Sequence, residues 1–225
     1  MSIKYRRLKW VSLSTALILI VIILISIGVY YINNNNTNLI KYEKGVNMDG
    51  ISLNGENYSP VKVLSVDDKG KKVGYVADGN NKNLYDVYEI KGLKTSEWIA
   101  VNDSEEPGGR GIWACKKDSV ELPKISDFGV NEIKILEDNE HYTKKTIKDS
   151  EEVNKIVDII TNSADEKKLS GPFDGKSYVL YFVSPQYKGI AYRGYLTITK
   201  DGKYYCRLAG DRYIEVTNEF GKYIK

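Results

Sequence analysis

The chain has 225 residues, 33 of them basic and 30 acidic, for a formal net charge of +3, with only two cysteines and one histidine. Residues 1–39 hold Lys4, Arg6, Arg7 and Lys9 and no acid, while residues 40–225 hold 29 basic against 30 acidic residues, so the excess charge belongs to the N-terminal flank. A near-neutral remainder leaves no electrostatic footprint for nucleic acid, and one histidine with two distant cysteines leaves no Cys–His metal cluster.

The first element is the run Trp10–Ile32, which carries no charged residue. As a helix it would be about 35 Å long, enough to cross a hydrocarbon core of ~30 Å. The basic residues before it orient it with the N-terminus inside. The expectation is a signal-anchor: a cytoplasmic tail over 1–9, a transmembrane helix over 10–32, and a single-pass cell-membrane protein whose bulk is extracytoplasmic. A cleaved signal peptide is the alternative, with small residues at Ser26 and Gly28, but the run exceeds the 7–15 residues usual for a signal h-region. A polar spacer follows over 33–45, rich in asparagine.

Residues 46–121 read as short strands between turns. Ile51–Leu53, Asn54-Gly55 and the stretch from Tyr58 to Val66 begin as a hairpin. Strands follow at 72–76, 84–90, 98–101 and 111–115, with no helix of ten or more residues. This is a small all-β module, sheet or barrel-like. Residues 102–110, containing Pro107-Gly108-Gly109, read as an exposed loop.

The pattern changes after Leu122-Pro123, and 122–225 read as an α+β domain. Val130 to Asp138 and Tyr142 to Ile147 form a hairpin, with Ile133 and Ile135 on one face. Asp149 then caps a helix carrying Val153, Ile156, Val157 and Ile160 on one stripe and ending near Asn162. Residues 164–176 read as a loop, and 178–183, apolar on both faces, as a central strand. Tyr195 to Thr199 and Tyr204 to Leu208 form a hairpin whose register depends on its turn. A three-residue turn ending at Gly202 pairs Ile198 with Tyr204 and Leu196 with Cys206, collecting the apolar side chains on one face; a two-residue turn pairs Leu196 with Arg207 instead. The first register is the expected one. A last strand over 211–216 and a helical turn after Thr217, presenting Phe220, Tyr223 and Ile224, complete the chain. The expected fold class is α+β: one N-terminal transmembrane helix, an all-β module, and an antiparallel sheet with one main helix.

Several patterns resemble chemical sites and fail on context. Ser59-Pro60-Val61-Lys62 matches S-x-x-K but precedes a strand and lacks its partner motifs. The stretch from Ser170 to Ser177 approaches a Walker A loop, yet a strand rather than a helix follows it, so no nucleotide is expected. Asp138, Glu140 and His141 could surround a cation but sit at a hairpin tip where side chains are solvated, so no metal and no cofactor is expected. Glu105-Glu106 fall in a loop and Glu151-Glu152 in a helix's first turn, where acids complement the dipole. Cys115 and Cys206 read as buried free thiols, with an interdomain disulfide as the alternative. No catalytic residue is assigned.

Eighteen tyrosines remain. In the expected register Tyr195, Tyr205 and Arg207 share the sheet face opposite Leu196, and Tyr181 joins them, a composition typical of binding surfaces. The competing interpretation is a sheet covered on both faces.

Gly70-Lys71-Lys72-Val73-Gly74, Tyr88-Glu89-Ile90-Lys91-Gly92 and Ile99-Ala100-Val101, with the strand–turn–strand–helix run from Ile133 to Ile160, resemble segments of uncharacterised membrane-anchored extracytoplasmic proteins of low-GC Gram-positive bacteria. The resemblance implies a location and no activity. The reading that follows is a non-catalytic binding module of the cell envelope whose partner is an envelope protein or a wall polymer, alongside the membrane itself. An envelope hydrolase or transferase with dispersed carboxylates, and a structural subunit of a membrane complex, are the alternatives.

Overall fold

The computed structural model describes residues 20–26, 39–44, 50–77, 83–103, 111–137, 143–162, 166–167, 175–208 and 213–224. The chain divides into two compact units, 1–39 and 40–225. In the first, residues 20–26 form a helix, α1. Among the described residues no helix is long and apolar enough to cross a membrane. The expected transmembrane signal-anchor, and the single-pass membrane location and orientation built on it, are therefore overturned. The rest of Trp10–Ile32 lies outside the described residues.

The expected α+β class is also corrected. The second unit holds fifteen strands and a single α-helix among its described residues. The barrel strands are β1 (Ile40–Lys44), β2 (Ile51–Leu53), β3 (Glu56–Pro60), β5 (Lys69–Ala77), β6 (Asn83–Ile90), β7 (Trp98–Asp103) and β8 (Ile112–Lys117), which close in the order β1-β2-β3-β8-β7-β6-β5. β1 falls inside the stretch read as a spacer and completes the barrel by pairing with β2 and β5. Inside, Tyr42, Ile51, Tyr58, Val76, Val87, Ile99, Val101 and Cys115 form a small core.

The second sheet runs β10 (Thr143–Ile147), β9 (Glu132–Glu137), β12 (Gly175–Val183), β13 (Ile190–Thr199), β14 (Tyr204–Arg207), β15 (Tyr213–Val216) and β11 (Glu166–Lys167). An eighth strand, β4 (Leu64–Val66), comes from the barrel half of the sequence and pairs with Ile190–Tyr192 at the start of β13. Asp67 and Asp68 donate backbone N–H groups to Gly189 O at 2.8 and 3.2 Å, and Lys91 N–H donates to Asp68 O. The expected all-β and α+β regions thus share a sheet and one large core. That core includes Leu64, Ile90, Trp98 and Ala100 with Leu180, Leu196, Cys206 and Phe220.

The helix α2 (Ser150–Asn162) buries Val153, Ile156, Val157 and Ile160 in this core, as the stripe requires. Asp149 Oδ1 accepts from the N–H groups of Glu151 and Glu152 at 3.1 and 3.0 Å, satisfying two donors of the first turn. The 3-10 turn Asn218–Tyr223 follows Thr217 and buries Phe220 and Tyr223; Lys155 on α2 meets Glu219 at 3.1 Å. Thr217 makes no side-chain cap hydrogen bond there. At the β13–β14 hairpin the register is the three-residue one: Leu196 pairs with Cys206 and Ile198 with Tyr204. Gly202 takes φ +82, and its N–H donates to Thr199 O at 2.9 Å. A side chain there would be strained, so the glycine selects the turn and the turn selects the buried face.

Candidate functional site

The register that buries Leu196 turns its neighbours the other way. On that opposite face Tyr181 of β12 stands between Lys134 of β9 and Arg193 of β13, each paired with it directly. In the next row Leu136, Val179, Tyr195 and Arg207 follow one another across four strands. A third row is Ser177, Thr197, Tyr205 and Glu215, with the Ser177 and Thr197 hydroxyls 3.2 Å apart.

Burial divides these rows. Val179 is fully buried, and Leu136, Thr197 and Tyr205 are buried as well. Lys134, Tyr181, Arg193, Tyr195, Arg207 and Tyr213 are half-buried. The Arg193 and Arg207 guanidinium carbons lie 5.0 and 4.7 Å from the centre of the Tyr195 ring, and Arg207 lies 5.3 Å from that of Tyr213. Each cation–π contact holds a guanidinium and a ring in fixed relation, worth about 0.5–1 kcal/mol at an accessible site. Lys134 also faces Asp67 at 3.7 Å.

Of the four residues expected here, Tyr181, Tyr195 and Arg207 belong to the half-buried strip, while Tyr205 shares their face but is only 7% exposed. Sequence reasoning misses Arg193, Tyr213 and Lys134. Arg193 is legible by parity, two residues before Tyr195 on one strand. Lys134 and Tyr213 need the order of strands.

The other sequence patterns resolve as follows. Ser59 lies on β3 opposite Lys116 and donates to Asp118 Oδ1 at 2.6 Å, so its S-x-x-K spacing is not helical. Gly175, Lys176 and Ser177 of the Walker-like stretch lie on β12; residues 170–174, together with Glu105, Glu106, Asp138, Glu140 and His141, lie outside the described residues. Among the described residues no group of three or more His, Cys, Asp or Glu could hold a metal ion. Cys115 and Cys206 are free and buried, and burial pushes both thiols up to about 12, which removes the thiolate a nucleophile needs. Asp201, at the hairpin turn, is held below its usual range chiefly by the Thr199 hydroxyl. No protein-family model, curated protein or solved structure matches the chain.

Proposed function

We propose that this chain is a non-catalytic binding module and that the strip Lys134–Tyr181–Arg193–Tyr195–Arg207 receives an acidic surface of a partner protein. The observation that carries the reading is the approach of two guanidiniums to one tyrosine ring on a rigid sheet. Tyr and Arg dominate the energetics of protein interfaces because each offers a large contact surface and directed polar groups at low entropic cost. The two guanidiniums along the strip, with Lys134 beside them facing Asp67, favour an anionic counterpart and speed its encounter. The central strands fix the side chains before binding, which lowers the ordering cost of association.

The test is a photocrosslinking residue at position 181 in the full chain, compared with the same chain carrying Arg193→Glu and Arg207→Glu. The reading expects a discrete protein captured through an acidic segment and lost on charge reversal. Capture of a glycan polymer, or of the same protein by both chains, would refute it.

A further inference from the structure

Six barrel strands form one antiparallel ribbon, β2-β3-β8-β7-β6-β5, and among the described residues only β1 joins its two edges. β1 runs antiparallel to β2 at Glu43 and Lys44, and parallel to β5 at Ile40, Lys41 and Tyr42. Every other described ladder in either sheet is antiparallel. β1 is thus an addition to a ribbon that is otherwise continuous, and it lies in a slot with a backbone edge on each side.

The slot is shaped for this occupant. Tyr42 is the one buried residue of β1, 1% exposed, and stands edge-to-face to Tyr58 with ring centres 6.3 Å apart. Beside it on β5, a Cβ added to Gly74 would lie 2.6 Å from the Tyr42 ring and closer still to the Ile40 carbonyl oxygen. Main-chain pairing on both sides with one aromatic anchor is the arrangement by which sheets accept an added strand. Six residues, 45–50, join β1 to β2, with glycine at each end.

We propose that the slot exchanges its occupant with a second copy of this chain, so that Ile40–Lys44 of each copy fills the slot of the other. An empty slot exposes two unpaired strand edges, a state that proteins avoid. A second copy brings the same strand, with tyrosine at the same place, and reciprocal exchange leaves no edge open in either barrel. The strand makes the same pairings in the closed and exchanged forms, so protein concentration set against the effective concentration of the tethered strand decides the balance.

The test mixes two full-length chains, one with Lys41→Cys and one with Tyr75→Cys, positions paired across β1 and β5. The native thiols, 2% and 0% exposed, stay out of the reaction. A chain carrying both substitutions establishes that the paired cysteines can be linked. Exchange predicts a covalent mixed dimer that increases with concentration and falls at least tenfold when the first cysteine stands at Lys44, which pairs with β2 and not with β5. Light scattering of the wild-type chain should show a dimer over the same range. A chain that remains monomeric and yields no mixed dimer overturns the proposal, as does a mixed dimer indifferent to whether the cysteine stands at Lys41 or Lys44.

Discussion

The two faces of the second sheet are built from alternate residues of the same strands, yet they differ in kind. One face presents Leu180, Phe182, Tyr192, Leu196 and Cys206 to the large core. The other presents Lys134, Tyr181, Arg193, Tyr195 and Arg207 half-buried, with Val179 and Tyr205 buried among them. Adjacent positions along one strand therefore answer to different demands. Substitutions on the first face should act on folding, and those on the second on association.

The largest expected effect is alkaline loss of stability. Burial pushes the thiols of Cys115 and Cys206 and the phenols of Tyr42 and Tyr192 up to about 12, with a smaller contribution from a neighbouring tyrosine for each phenol. The folded state then keeps protons that the unfolded chain has lost. Their stabilisation is complete below the unfolded values of 9.0 for thiols and 10.0 for phenols, and is lost as pH rises toward 12. Urea midpoints should fall over that window, each group contributing up to about 1.4 kcal/mol per pH unit. Replacing both cysteines with alanine should delay the onset of the fall to near pH 10.

Next in size, Leu196→Ala removes a fully buried side chain and should cost about 3 kcal/mol in equilibrium unfolding. Its neighbour sharpens the contrast: Tyr195→Ala should cost about 1–2 kcal/mol in folding, because it removes two half-buried cation–π pairs. Asp149→Ala, which removes the acceptor for two N–H groups of α2, should cost about 1 kcal/mol, readable as a lower urea midpoint with unchanged slope.

What the sequence reveals follows the range of the interactions involved. The α2 stripe, its Asp149 cap and the Gly202 register are decided within a dozen residues, and the structure bears them out. The residues of β1 read as spacer because only Tyr42 marks them as a strand, and its partner Val76 is 34 positions away. β4 is legible as extended chain, but nothing local shows that three residues leave one sheet for another. The α+β expectation fails because one good helix does not outweigh the many short strands around it. The anchor expectation rests on the apolar composition of Trp10–Ile32 alone, and among the described residues no helix is long and apolar enough to cross a membrane. In the candidate site, parity places Tyr181, Tyr195, Tyr205 and Arg207 on one face; which of them is buried depends on distant parts of the chain.

The most direct test of the central claim measures unfolding and partner capture on the same pair of chains, wild type and the Arg193→Glu, Arg207→Glu variant. The account predicts a variant that still unfolds cooperatively and is less stable by up to about 3 kcal/mol, the three cation–π contacts it loses, capture by the wild type that weakens as salt is raised, and no capture by the variant. Equal capture by the two chains, independent of salt, would contradict it.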